Sequence, residues 1–356
     1  KEYTNTTLMR TPYLSIIIPA YNASGTLRAL LASLGNSSFK HFEVIVGDDA
    51  SNEQLTVNSL SLDKREDRPK KSKKIAFPLR VIRLMRNRGP AAARNVAAKR
   101  AHGHVLVFLD SDVQVYPDTL GTIAGRFKDD GDLTAITGVW DKHQKSKDFF
   151  PQFKALRDWS YWTNERDRDG YYYLFSTRVA AMKREVFLRL GGFNEVFRQM
   201  EDVEFTYRIA KRYAIIFAQD VRVHHEFEGF FAVAKKYFWR SFYWTRLWRE
   251  RKKFDPVATT MWESMAGVSA VGAMGSLVLG GLIFFIIPVP WVKMASLTGA
   301  LVLLLVHTFL IRKFLRFVFV EKGFSFMLKS LGTGIVLYCV IVAGALYYQL
   351  RSASSR

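Results

Sequence analysis

Short apolar runs and charged segments alternate along the chain up to about Phe254, after which charge disappears for long stretches. In the first part, "LSIIIPAYN" (14–22), "FEVIVGDDAS" (42–51), "LRVIRL" (79–84) and "HVLVFLDSDVQVYP" (104–117) each contain a run of strand length. A run that is apolar at nearly every position is covered on both faces, which places these strands inside an α/β sheet. Between them, "SGTLRALLASL" (24–34) has helical periodicity with Ser24 as N-cap, and "RNRGPAAARNVAAKRA" (86–101) is a loop whose Gly89 and Pro90 open an Ala-rich helix. Strand, helix and strand at this spacing form right-handed parallel units. The run 63–74 is a solvated charged loop. Farther on, "QMEDVEFTYRIAKR" (199–212) is a helix and "AQDVRVHH" (218–225) a strand.

Beyond Phe254 three stretches, 265–287, 292–311 and 331–350, are of the length that crosses a bilayer core as a helix, about 20 residues. Gly and Ala recur in the first and third, as where membrane helices pack closely. Three such stretches are more than a soluble core needs. The expected organisation is a soluble domain over 10–228, basic aromatic interfacial helices over 229–262, and a membrane domain over 263–356 in which 312–330 is interfacial.

Composition fits an ordered protein, with 49% hydrophobic and 14% aromatic residues among 356. The formal charge of +20, from 52 Lys and Arg against 32 Asp and Glu, raises the question of nucleic acid. Position answers it. Much of the excess lies in 234–254 and 312–329, next to the apolar stretches and mixed with Trp and Tyr, as at a membrane interface facing anionic lipid. No nucleic-acid partner is expected. The positive-inside rule then puts the soluble domain in the cytoplasm. The single Cys339 allows no disulfide framework.

The candidate chemistry sits where strands end. Asp48 and Asp49 close one buried strand, and Asp110 and Asp112, separated by Ser111, close another. Open α/β sheets bind ligands at that carboxyl edge. Carboxylates there suit Mg²⁺ or Mn²⁺, which take one or two protein oxygens and leave the other positions to phosphate and water. Glu201 and Asp202 stand in the first turn of a helix, where its dipole favours them. His224 and His225 are adjacent on a strand and point to opposite faces, so one alone can reach a site; His225 shares its face with Val221 and Val223.

The ordered set "IIIPAYN", "VIVGDDAS", "RNRGPAAARN", "VFLDSDV", "GGFNE" and "EDVEFTYRI", followed by a strand ending in His, resembles the inverting family-2 glycosyltransferases over Leu14 to His225. The resemblance implies a GT-A-type nucleotide-sugar-binding domain with a mostly parallel central sheet, and the apolar stretches resemble the branch acting on lipid-linked acceptors. It implies that Pro19, Ala20, Tyr21, Asp48 and Asp49 hold the nucleoside, although either aspartate could be the acceptor toward base or ribose. Ala50 stands where the family more usually has glycine. Arg86, Asn87, Gly89 and Arg94 are expected at the pyrophosphate, with Asp110 and Ser111 beside the ribose. Asp112, with Asp110 and His225, is expected at Mn²⁺ or Mg²⁺. Asp202 is the candidate general base and Glu201 its assistant.

The expected function is metal-dependent transfer of a sugar from a nucleotide-sugar donor to a polyprenyl-phosphate or other lipid-linked acceptor at the membrane. Trp239, Arg240, Trp244, Arg246 and Arg249 in "FWRSFYWTRLWR" suit a lipid phosphate at the interface. A processive polysaccharide synthase shares the transfer chemistry, but no Gln-x-x-Arg-Trp precedes the apolar stretches and three spans are few for a channel. A non-catalytic membrane scaffold would fit the loss of an Asp-x-Asp carboxylate or of Asp202, and all are present.

Overall fold

The computed structural model describes residues 2–4, 11–60, 75–166, 173–251, 261–286 and 290–353. The charged run 63–74, the segment 252–260 and residues 287–289 lie outside the described residues. In chain order the elements are β1 (Glu2–Thr4), β2 (Leu14–Ala20), α1 (Ser24–Gly35), β3 (Phe42–Asp48), β4 (Leu79–Arg83), α2 (Pro90–Lys99), β5 (Val105–Leu109) and β6 (Val113–Val115). There follow α3 (Thr119–Asp129), β7 (Ala135–Trp140), α4 (Phe149–Ser160), a π-helical turn (Tyr161–Glu165), β8 (Val179–Lys183), α5 (Arg184–Arg189), α6 (Glu201–Ile209) and β9 (Ile215–His225). The last five helices are α7 (Phe230–Arg251), α8 (Met261–Ile286), α9 (Pro290–Leu310), α10 (Arg312–Lys322) and α11 (Phe324–Ala353). The chain divides into two compact units, Lys1–Lys145 with Arg168–Glu226, and Ser146–Asp167 with Phe227–Arg356.

The first unit is an α/β domain built on one sheet of order β1-β4-β3-β2-β5-β8-β7-β9-β6. Strands β4, β3, β2 and β5 are parallel, as the buried apolar runs predict. All seven positions of β3 are buried, the signature of a strand covered on both faces. The other half departs from the mostly parallel expectation: β8 runs antiparallel to both β5 and β7, and β6 antiparallel to β9. A parallel neighbour requires the chain to return to the edge from which it started. The segment after β7 instead re-enters the sheet from the edge where β7 ended, so the sheet is mixed. Leu27, Leu30, Leu31 and Leu34 of α1 join Leu14, Ile16 and Ile18 of β2 in the main core.

Helix α2 positions the site and lies unusually close to the sheet. Its buried face is Ala91, Ala92, Ala93, Ala97 and Ala98, whose small side chains let the backbone approach β3. Gly47 of β3 makes that approach possible, because a Cβ there would stand 2.2 Å from the Ala93 carbonyl oxygen.

The second unit is helical. Phe150, Phe153 and Leu156 of α4 form a core with Val233, Ala266, Phe314, Val318 and Leu337. The spacing of those three side chains puts them on one helical face, and burying that face against helices draws 146–167 out of the α/β unit. Among the described residues, three helices are long and apolar enough to cross a membrane: Met261–Leu282, Trp291–Leu310 and Phe324–Ala353. The segment 312–330 is split by Gly323, whose φ of 84° ends α10, so residues 324–330 continue into the third of these helices.

Gly47→Ala should therefore destabilise the protein by roughly 1–3 kcal/mol, the usual cost of overpacking, because the obstacle is backbone and not a movable side chain. Thermal unfolding of the detergent-solubilised chain measures it. An unchanged midpoint would mean that α2 can lift from β3 freely.

Candidate active site

The carboxyl edge of β3, β2 and β5 gathers most of the acidic residues that the sequence pattern singles out. Asp48 ends β3 and is fully buried; one oxygen accepts from Arg83 Nη1 at 2.8 Å and the other from the Ser51 backbone N–H at 3.0 Å. Asp49 accepts from the backbone N–H groups of Arg88 at 2.7 Å and Gly89 at 2.8 Å. These two carboxylates thus hold loops: Asp48 the turn after β3, Asp49 the entry to α2. Gly89, expected at the pyrophosphate, has its N–H engaged by Asp49, as does Arg88. Asn22 completes the rim, donating its N–H to Ser51 Oγ at 2.9 Å and accepting from the Asn52 N–H at 2.8 Å. Pro19 is half-buried, Ala20 is buried and Tyr21 is half exposed on this rim.

Arg94 occupies the centre. Its side chain is only 4% exposed, with Nη1 donating to Glu201 Oε1 and Nη2 to Asp110 Oδ1, both at 2.7 Å. One guanidinium from α2 therefore joins the end of β5 to the start of α6. Burial opposes the charge, but Asp110 and Glu201 outweigh it and hold the guanidinium above its ordinary range. Burial drives Glu201 upward, Arg94 opposes that, and neighbouring Asp202 adds to it, leaving Glu201 above the usual carboxylate range. The next residue of α2, Asn95, clamps the loop before α6, donating to the Phe193 carbonyl at 2.8 Å and accepting from the Phe193 N–H at 2.9 Å. It also donates to Glu195 at 3.0 Å, and Arg88 pairs with the same carboxylate.

Asp112, half exposed, sits two residues past Asp110, with His225 Nε2 3.2 Å from its Oδ2. The register Val113↔His225 between β6 and β9 brings them together. His224 points the other way and meets Glu226 at 2.7 Å, so the face inferred from Val221 and Val223 is the one that reaches Asp112. Among the described residues no three His, Cys, Asp or Glu side chains converge as a metal-binding group. Asp112 and His225 form a two-residue pair, and Asp110 faces Arg94.

Residues 15–191 match the family model described as "Glycosyl transferase family 2". The chain carries a family 2 glycosyl transferase domain. A Haemophilus influenzae glycosyltransferase is 27% identical over 201 residues, 55% of this chain and 61% of that protein. The poly(ribitol-phosphate) beta-N-acetylglucosaminyltransferase TarS of Staphylococcus aureus is 37% identical over 109 residues, covering 30% of this chain and 17% of its own length. The chain thus spans less than two thirds of these relatives. A Pyrobaculum calidifontis mannosyltransferase, solved with GDP-Man and Mn²⁺, superposes with a TM-score of 0.54 at 18% identity, covering 96% of this chain and 88% of that one. The fold is therefore shared along nearly the whole chain, apolar helices included.

The remaining predicted residues fall in several places around this glycosyltransferase domain and beyond it. Arg86 is exposed, while Asn87 and Ser111 are half-buried. Gly89, at φ 94°, precedes α2 in a conformation that favours glycine. Trp239, Arg240, Trp244, Arg246 and Arg249 all lie on α7 in the helical unit, with the three arginines exposed and Arg249 donating to Ser352 Oγ at 2.6 Å. Sequence reasoning overlooked Trp140, whose ring stacks on His225, and Asn95's clamp on the Phe193 backbone. A lone Trp at a strand end and an Asn inside a helix give no signal of their partners.

Replacing Arg94 by Lys keeps a cation but cannot bridge two carboxylates in fixed directions. Arg94→Lys should lower kcat on the order of 10²-fold, the effect of displacing reacting groups by about an ångström. Arg94→Leu should cost about 3–5 kcal/mol in stability, because it leaves the buried Glu201 carboxylate without its cation. Steady-state kinetics and thermal unfolding separate the two, and a native kcat in Arg94→Lys would show that the bridge does not set the site.

Proposed function

We propose that this protein is a membrane-attached, inverting glycosyltransferase of GT-A type that moves one sugar from a nucleotide-sugar donor to a polyprenyl-phosphate or other lipid-linked acceptor. The observation that carries the proposal is the meeting of Asp110, Glu201 and Arg94 at 2.7 Å beside Asp112 and His225, in a chain whose described residues also include three helices long and apolar enough to cross a membrane. The α/β unit, 1–145 with 168–226, is the catalytic part, α7 lies at the interface, and α8, α9 and α11 are the membrane part. Basic residues concentrated in 234–254 and 312–329 favour the cytoplasmic side for the catalytic part.

The donor set at Asp112 and His225 fits Mn²⁺ or Mg²⁺: one carboxylate and one imidazole leave positions for diphosphate oxygens and water, and the nitrogen ligand suits Mn²⁺. Bound there, the cation would neutralise charge on the leaving nucleoside diphosphate. Asp110, fixed by Arg94, would accept from the ribose with its other oxygen. Arg86 and Asn87 remain for the diphosphate, since the Arg88 and Gly89 N–H groups are taken. Tyr21, Pro19 and Ala20 form the nucleoside rim, kept in place by Asp48 and Asp49. On α7, Trp239 and Trp244 with Arg240, Arg246 and Arg249 receive the acceptor's lipid phosphate at the membrane surface.

In the transfer, an acceptor oxygen forms the bond to the anomeric carbon while the bond to the nucleoside diphosphate breaks and its electron pair leaves with the phosphate. A hydroxyl acceptor gives its proton to Asp202, helped by Glu201. A phosphate acceptor is ionised at neutral pH and gives none, so Asp202 then orients it.

Incubating the purified protein with a panel of nucleotide sugars and membrane lipids, followed by mass spectrometry, should reveal a glycosylated lipid. Asp112→Ala and added EDTA should each abolish that product while the fold persists. Full activity in EDTA would remove the metal from the proposal.

Asp202→Asn distinguishes acceptor classes, because removing a general base costs a factor on the order of 10² to 10⁴ only where a proton must be taken. With a hydroxyl acceptor, transfer should fall by that factor with nucleotide binding retained. With a lipid phosphate, the loss should be smaller and fall mainly on acceptor KM. Native kinetics on every acceptor would make Asp202 a helix-terminal charge without a catalytic role.

A further inference from the structure

We propose that Trp140 is the positioning residue for His225, with Arg178 bracing the indole. The proposal rests on the reading of Asp112 and His225 as metal ligands. It concerns two residues that neither the motifs nor the acidic pattern single out.

Three planar groups stand together. The Trp140 and His225 rings are stacked with centroids 4.9 Å apart and planes inclined by only 27°. The Arg178 guanidinium carbon lies 4.9 Å from the centroid of the same indole. His225 and Arg178 are both less than 10% exposed, so this is an interior arrangement and not a surface encounter. The sheet delivers all three to one place. Trp140 is the last residue of β7 and pairs with Val223 on β9, two positions before His225. Arg178 is one residue beyond the final β5–β8 pair, Leu109 with Val179, so it leaves the sheet at the same edge as Asp110.

Such a cluster solves a specific problem. An imidazole on a strand end can rotate about its side-chain bonds, and only a narrow range of orientations aims Nε2 at Asp112. The strand register fixes where the ring is attached, and the Gln144 side chain, donating to the His225 carbonyl at 2.7 Å, fixes the backbone. Neither holds the ring plane. A flat indole against the imidazole face does, and a guanidinium on an aromatic face is an attractive partner for the indole in turn. Groups that orient a metal ligand from behind commonly change metal affinity 10- to 100-fold when removed.

The experiment is Mn²⁺ binding, followed by electron paramagnetic resonance, in the detergent-solubilised full chain with nucleoside diphosphate present. Trp140→Leu should weaken Mn²⁺ at least 10-fold, with activity partly restored by excess Mn²⁺, while Trp140→Phe, which keeps a ring, should stay within about threefold. Arg178→Met tests the brace without touching the indole and should give a smaller loss in the same direction. In a His225→Gln background Trp140→Leu should have no further effect on Mn²⁺. Native Mn²⁺ affinity in Trp140→Leu, or an equal loss with His225 already removed, would overturn the proposal. A native chain that takes up no Mn²⁺ would defeat the metal reading alone. The stack is then judged by the His225 ring-proton resonance, which the indole should displace upfield in the native chain and not in Trp140→Leu; an undisplaced native resonance would overturn the proposal as well.

Discussion

The candidate site depends on one buried cation. Asp110 closes a strand and Glu201 opens a helix far along the chain from it. Carboxylates repel one another, and burial makes the repulsion worse. The Arg94 guanidinium between them, at 2.7 Å from each, converts that repulsion into a joint. Its planar fork supplies two donors in fixed directions, which an ammonium cannot do. Burial of charge is costly in itself, so the bridge is better understood as specifying an arrangement than as adding stability. Everything that sets the position of α2 consequently sets the site: the Ala face, the absent side chain at Gly47, and the Asp49 carboxylate that receives the two N–H groups just ahead of Pro90.

Much of this was legible in the sequence. Apolar runs ending in aspartates predicted which residues would meet at the carboxyl edge of a sheet, and period-two alternation was enough to put His225, and not His224, on the face that reaches Asp112. The three long apolar helices were equally plain. The roles of individual acidic and basic residues were less so. Asp48 and Asp49 look like ligand acceptors, yet their oxygens hold Arg83, Ser51, Arg88 and Gly89. Arg94 looks like a phosphate ligand, yet it is the joint. A one-dimensional pattern says which side chains reach an edge. It does not say which hydrogen-bond partner each will find there, because those partners come from distant parts of the chain.

The division into two units was hidden for a related reason. Residues 146–167 lie between two strands of one sheet, so continuity assigns them to the α/β domain. Their apolar face finds its complement in Val233, Phe314 and Leu337 instead. Periodicity shows that a helix has an apolar face and leaves open what covers it.

Backbone strain marks the same edge by an independent route. Among the described residues, the non-glycine residues with positive φ are Asn22, Ala50 and Met200. Asn22 follows β2, Ala50 follows β3, and Met200 immediately precedes Glu201 and Asp202. The left-handed conformation costs an L-residue on the order of 1–2 kcal/mol, less for asparagine, and persists only where surrounding bonds impose it. Those bonds are present at two of the turns, through Ser51 and Asn52 at Asn22 and through Asp48 and Ser51 around Ala50. At Met200 the constraint comes from the next residue, since Glu201 is held by Arg94. Relaxing Met200 would swing the first turn of α6, and with it Glu201, away from Arg94. The strained Met200 thus stands next to the buried bridge, and the bridge ties Glu201, the first residue of α6, to the end of β5.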